Sequence, residues 1–218
     1  MDARAVLFDL DGTLVDSLPG IQFSIDISLA ECGVPARSRE LRPLIGPPIR
    51  TILEQVVPGA DQQQLAKLEH AFRHSYNSSG WRKTVLHERA AETLGRLKAA
   101  GLPLYLVTNK PQAPTERIIA ALEIAPFFDE VTCRDSRTPP YESKAEMIEQ
   151  VLSRHGLDAE ACVYVGDSLE DHRAATEAGV PVALVAHGYG ELDPELKGCT
   201  HLKGLSEVLN IAGIMEIA

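Results

Sequence analysis

Two carboxylates one residue apart, Asp9 and Asp11, follow the apolar run Val6-Leu7-Phe8 and lead into Gly12. Such a run reads as the end of a buried strand, and glycine permits the sharp turn that lifts both carboxylates out of it. Ligands of parallel sheets sit at the carboxyl edge, so side chains emerging there are placed for nucleophilic, acid–base or metal-ligating work. Taken alone, the hexapeptide also describes two ordinary turn aspartates, because Asp and Gly are common turn formers. Later segments separate the two readings. Thr108-Asn109-Lys110 follows the apolar stretch 104–107 and offers hydroxyl and amide donors suited to a phosphoryl oxygen. Gly166-Asp167-Ser168-Leu169-Glu170-Asp171 follows the apolar stretch 162–165 and brings a second acidic pair. Lys144 opens a helical pattern, where its ammonium and the helix N-terminus both favour an anion. Four carboxylates, a hydroxyl and an ammonium meeting at one sheet edge need a cation, and oxygen-only ligation suits Mg²⁺ shared with a substrate phosphate.

The elements that must position these residues follow from periodicity. After the first strand the pattern is helical as far as residue 80, with helices expected over 19–32, 39–45, 49–57 and from Asp61 onward. Residues 18–80 therefore read as a small all-helical domain inserted after the catalytic turn, between 1–17 and 81–218 of a larger core domain. Beyond residue 80 the pattern alternates. Helices are expected over 88–100, 114–122, 143–155, 169–178 and 205–212, with strands over 104–107, 130–133, 162–165 and 182–185. Alternation of this kind implies right-handed crossovers and an α/β fold with a doubly wound parallel sheet.

Composition bounds the function. The net charge of −10, from 21 Lys and Arg against 31 Asp and Glu, argues against a nucleic-acid polymer as partner. It also repels anionic substrates, so a phosphate site must bring its own cations. The four cysteines form no CxxC pair, which points to reduced thiols, mostly buried, rather than zinc or disulfides. No apolar run is long enough to cross a bilayer and the N-terminus carries no secretory pattern, so a cytoplasmic protein without membrane partners is expected, as a monomer or homodimer. His70 and His74 share a helix face at i, i+4 spacing, which without a third ligand reads as a solvated face.

FDLDGTLVDS, VTNK, the lone Lys144 and VGDSLEDHRAATEAGV resemble the four motifs of the haloacid dehalogenase superfamily, in its phosphatase branch. The segment IGPPIR at 45–50 and HGYG at 187–190 are most similar to phosphoglycolate phosphatases and related 5′-nucleotidases of that superfamily. One departure is that many relatives pair the third-motif lysine with a following proline, whereas Ala145 follows Lys144 here. The resemblance implies an α/β core with a helical cap and Mg²⁺-dependent hydrolysis of a small phosphate ester. It makes Asp9 the nucleophile, through an aspartyl-phosphate, and Asp11 the acid and base. Mg²⁺ would be held by the Asp9 side chain, the Asp11 main-chain carbonyl and Asp167, with Asp171 orienting Lys144. Thr108, Asn109 and Lys144 would hold the phosphoryl oxygens. Arg50, after the Gly46-Pro47-Pro48 break, is expected to aim a cation at the far end of the substrate, with cap hinges at 15–18 and 79–83. A sugar phosphomutase would share these motifs. A phospho-accepting signalling module, from another class, would not explain the Asp-x-Asp pair or the helical insertion.

Overall fold

The computed structural model describes residues 3–35, 40–190 and 196–214. Six parallel strands form the main sheet: β1 (Ala5–Phe8), β4 (Leu104–Thr108), β5 (Glu130–Cys133), β6 (Cys162–Gly166), β7 (Val182–Val185) and β8 (Cys199–Leu202), in the order β5-β4-β1-β6-β7-β8. A separate antiparallel ribbon pairs β2 (Val15–Asp16) with β3 (Val85–Leu86). The strand alternation sorts side chains by face. Val6 and Phe8 of β1 join a core with Leu94 and Leu97 of α4 (Ala90–Ala99) and Ile118 and Ile119 of α5 (Gln112–Ala121). Ala5 and Leu7 join the opposite core with Met147, Ile148 and Val151 of α6 (Lys144–His155) and Ala174 and Ala175 of α7 (Leu169–Glu177). Helices therefore cover both faces, as the continuous apolar strands require. This is the expected doubly wound sheet.

A third core is helical. Ile21, Ile25 and Leu29 of α1 (Leu18–Glu31) pack with Ile52 and Leu53 of α2 (Ile49–Val56) and with Leu65, Leu68 and Phe72 of α3 (Gln62–Ser78). Asp61 caps α3 by accepting from Gln64 N at 2.7 Å, as its position before an apolar period suggests. Where the helix expected over 39–45 falls on described residues there is only a 3-10 turn at Arg42–Leu44, because Pro43 and the Gly46-Pro47-Pro48 run leave no room for a full turn; residues 36–39 lie outside the described ones. The helix expected over 205–212 divides into a 3-10 turn, Leu205–Glu207, and α8 (Val208–Ile211). Strand β8 and the β2–β3 ribbon were not expected from the sequence, since their two to four residues carry too little alternation to register. Of the cysteines, all free, Cys133 and Cys162 are buried and Cys32 and Cys199 half-buried, so the thiols are less uniformly interior than expected.

Candidate active site

Because β4 and β6 flank β1 in register, with Phe8 level with both Leu106 and Val165, their carboxyl ends open side by side. Asp9 N donates to Val165 O at 2.9 Å, which keeps the first carboxylate on the sheet axis. Gly12 then takes φ +85°, and its N–H turns back to Val15 O at 2.8 Å. A Cβ on Gly12 or on Gly188 would overlap the Asp167 side chain, so both positions need glycine's lack of one.

The carboxylates have different surroundings. Asp9 is buried, and its Oδ1 accepts no hydrogen bond, although Lys144 Nζ lies 3.2 Å away, an ion contact out of hydrogen-bond alignment. Burial pushes the Asp9 carboxyl up to about 8, with Lys144 opposing and Asp171, Asp167 and Asp11 adding to the rise. Asp167 accepts from Thr13 Oγ1 at 3.1 Å and from Tyr189 N at 2.8 Å, and burial with the nearby Asp171 raises it to about 6. Asp171 is saturated. Its Oδ2 accepts from Asp167 N, Ser168 N and Ser168 Oγ, and its Oδ1 accepts from Lys144 Nζ at 2.7 Å, with the Tyr164 hydroxyl 3.3 Å away. Burial works against ionisation of Asp171, but Lys144 and these donors outweigh it and hold the carboxyl below its ordinary value. The Asp171–Ser168 exchange is also the capping box of α7, so the helix start is what orients this carboxylate toward Lys144. Burial would likewise lower the Lys144 ammonium, and Asp171 and Asp9 hold it well above its usual range.

Oxygens of Asp9, Asp167 and Asp171 come within 4.8 Å of one another. With Asp171 fully engaged, Asp9 and Asp167 are the pair whose charge a cation would offset, and Asp9 Oδ1, which accepts no hydrogen bond, has a lone pair to give it. An all-oxygen donor set among buried carboxylates fits a hard divalent cation. The Asp11 side chain stands apart from this cluster.

The other expected residues divide. Thr108 and Lys144 line the same cleft as Asp9, Asp11 and Asp167. Asn109 also lines it, but its side-chain N–H donates to Glu170 Oε1 at 2.6 Å and its Oδ1 is buried without a partner. Arg50 departs from expectation. Its guanidinium is bonded to Gln62 and lies 3.3 Å from Glu69, on the α3 side of its helix, and it is absent from the residues lining the cleft. Two acceptors on α3 compete for it more strongly than open solvent above the cleft. Lys110, which sequence reasoning quoted without a role, places Nζ 2.9 Å from both Asp11 oxygens, and 5.0 Å from the Tyr76 ring of α3. Tyr189 was also missed as a functional residue. Its hydroxyl accepts from Ser17 N at 2.6 Å and Leu18 N at 3.0 Å and donates to Asp16 Oδ1 at 2.8 Å, so it ties the Asp167 loop to the start of α1. The only signal for it was the HGYG stretch.

The family model described as haloacid dehalogenase-like hydrolase matches residues 6–185. The phosphoglycolate phosphatase of Yersinia pseudotuberculosis is 35% identical over 191 residues, covering 85% of this chain and 82% of the relative. That of Escherichia coli strain K12 is 32% identical over 210 residues, covering 86% and 83%. Among solved structures, a haloacid dehalogenase-like family hydrolase from Streptococcus pneumoniae superposes with a TM-score of 0.85 at 28% identity, covering 96% of this chain and 98% of that one. Among the described residues no helix is long and apolar enough to cross a membrane.

Proposed function

From the premise that this chain belongs to the haloacid dehalogenase-like hydrolases and is a phosphoric monoester hydrolase, we propose that it is a Mg²⁺-dependent phosphatase of a small organic phosphomonoester, phosphoglycolate-like or a nucleoside monophosphate. The reaction runs through an aspartyl-phosphate on Asp9. The observation that carries this reading is the buried Asp9 carboxylate, whose Oδ1 accepts no hydrogen bond, set beside Lys144 and Asp167 at the mouth of the sheet. A carboxylate held in that way is a nucleophile supplied with its own anion-binding cation.

An Asp9 oxygen forms a bond to phosphorus as the ester P–O bond breaks, and Asp11 gives a proton to the departing alkoxide. Asp11 then takes a proton from water as the water oxygen attacks phosphorus, releasing inorganic phosphate and free Asp9. Thr108 and Lys144 hold the phosphoryl oxygens through both steps, and Asp171 fixes the Lys144 ammonium. The Asp9 carboxylate, the Asp11 main-chain carbonyl and Asp167 would hold Mg²⁺, which when bound supplies Lewis-acid polarisation of the phosphoryl group. Residues 18–80 act as a cap over the 1–17 and 81–218 core, hinged at 15–18 and 79–83. The Tyr189 hydroxyl bonds and the β2–β3 ribbon brace that joint. Relatives named phosphoglycolate phosphatase support a small phosphate ester as the substrate.

The test is release of inorganic phosphate from a panel of small esters with and without Mg²⁺. Activity should need the metal and vanish in Asp9→Asn while the far-UV spectrum and unfolding midpoint stay intact. A folded, active Asp9→Asn protein would refute the mechanism, and isomerised sugar phosphate in excess of free phosphate would make the enzyme a mutase.

A further inference from the structure

The cleft above Asp9 has a volume of about 600 Å³. That lies within the roughly 300–1,000 Å³ of sites that engulf drug-sized ligands, far more than a two-carbon acid phosphate fills. Its floor is the polar catalytic edge. Its far wall is made by the helical unit, where Ile21, Ile45, Ile49, Ile52, Phe72 and Tyr76 face the cleft. These side chains are the reverse of what a carboxylate on the leaving group needs.

Three of the four cations lining the cleft are paired with carboxylates. Lys110 holds Asp11, Lys144 holds Asp171, and Arg73 holds Glu69 at 2.8 Å, while Arg134 donates to Glu142 O at 3.1 Å on the core side. Two further carboxylates, Glu170 and Asp135, also line the cleft and would repel a second anion. The entry to α2 offers only a shortened row of donors. Pro47 and Pro48 have no N–H, and Thr51 N and Ile52 N both return to Pro48 O.

Resting on the phosphatase reading above, we propose that the preferred substrate is a phosphomonoester whose leaving alcohol is uncharged and carries a ring-sized apolar body, seated against the isoleucine and aromatic wall. Of the two substrate types proposed above, the same wall disfavours the carboxylated leaving group of phosphoglycolate. Burying an apolar ring there strengthens binding of the ester, whereas desolvating a carboxylate against isoleucine without a cation weakens it.

The experiment compares kcat/KM for benzyl phosphate, n-propyl phosphate and phosphoglycolate, all alkyl phosphates, in the Mg²⁺-loaded enzyme. Benzyl phosphate should exceed phosphoglycolate by about tenfold or more, chiefly through KM. Ile49→Arg puts a cation on the wall at a partly exposed position, and should lower the benzyl-to-phosphoglycolate ratio by about tenfold. Phe72→Leu, which removes a ring and keeps an apolar residue, should lower the benzyl-to-propyl ratio severalfold, so the wall is tested even if the arginine variant fails to fold. Phosphoglycolate turned over as well as or better than benzyl phosphate overturns this inference and leaves the phosphatase standing. Ratios unmoved in the folded variants overturn the wall as the specificity surface. Phosphate released from none of the esters overturns the phosphatase reading, and this inference with it.

Discussion

Lys144 and Asp171 form a buried ion pair whose removal gives a measurable energy. Lys144 is 5% exposed and Asp171 not at all, with 2.7 Å between Nζ and Oδ1. Lys144→Met leaves Asp171 buried and charged without its cation, and breaking a buried pair from one side costs about 3–5 kcal/mol. The lower end is expected, because three donors still hold Asp171 Oδ2 when the ammonium is gone. Asp171→Asn is damaging for a second reason. Oδ2 accepts three donors and Oδ1 accepts Lys144, so either orientation of the amide turns an NH₂ toward donors; a loss of about 3–4 kcal/mol follows from the unpaired groups. The double variant removes both charges and should lose about 4–5 kcal/mol rather than the sum, a coupling of about 2 kcal/mol. Urea unfolding in chelator, with midpoints and slopes for the parent and three variants, measures this directly. Losses that simply add within about 0.5 kcal/mol, or a Lys144→Met loss below about 1 kcal/mol, would refute the pairing as the organising contact of the site.

Tyr189→Phe removes a hydroxyl with three hydrogen bonds at the start of α1 and orphans the buried Ser17 N–H, so unfolding free energy should fall by about 2–4 kcal/mol; a loss under about 0.5 kcal/mol in urea titration would show the joint is held elsewhere. Gly188→Ala drives a methyl into Asp167 and should raise the Mg²⁺ concentration for half-maximal activity about 10- to 100-fold; an unchanged metal titration curve contradicts the crowding. His87 is held down to about 4 by burial, with His187 and Arg42 adding to the fall and Asp16 opposing. Its folded value lies below the unfolded 6.5, so its stability contribution is full above pH 6.5 and is lost as pH falls toward 4. Because the ring is only half-buried, solvent screening limits that loss to about 1–2 kcal/mol. His87→Gln should flatten the stability difference between pH 7 and pH 4.5 by that amount, and identical pH slopes for the two proteins would remove His87 from the account.

The order of elements and the polar strand ends were legible in the chain because both are local properties. An apolar stretch of four or five residues closed by Asp9, Thr108 or Asp167 states its strand and its exit at once, and Ser143 and Ser168 announce the helices they cap. Charge sign was legible too, but of the charge partners only the Asp171–Lys144 pair was expected, from the motif resemblance. Arg50 was expected over the substrate and lies against Glu69 and Gln62, while Lys110, without an expected role, holds Asp11. A long side chain selects among acceptors on several elements, and their relative placement is not written in any one of them.

The sequence by itself determined that this is an alternating α/β chain with a helical insertion and an acidic edge that also carries a hydroxyl and an ammonium, since period, turn residues and charge act over a few neighbours. Only the tertiary structure decided that β1 lies between β4 and β6, that the other oxygen of Asp171 is consumed by its own helix cap, and that Tyr189 reaches a joint 172 residues away in sequence. It also decided that the cleft wall is isoleucine and aromatic. These outcomes depend on which surfaces pack together, and packing is settled by the whole core at once rather than by any stretch of the chain.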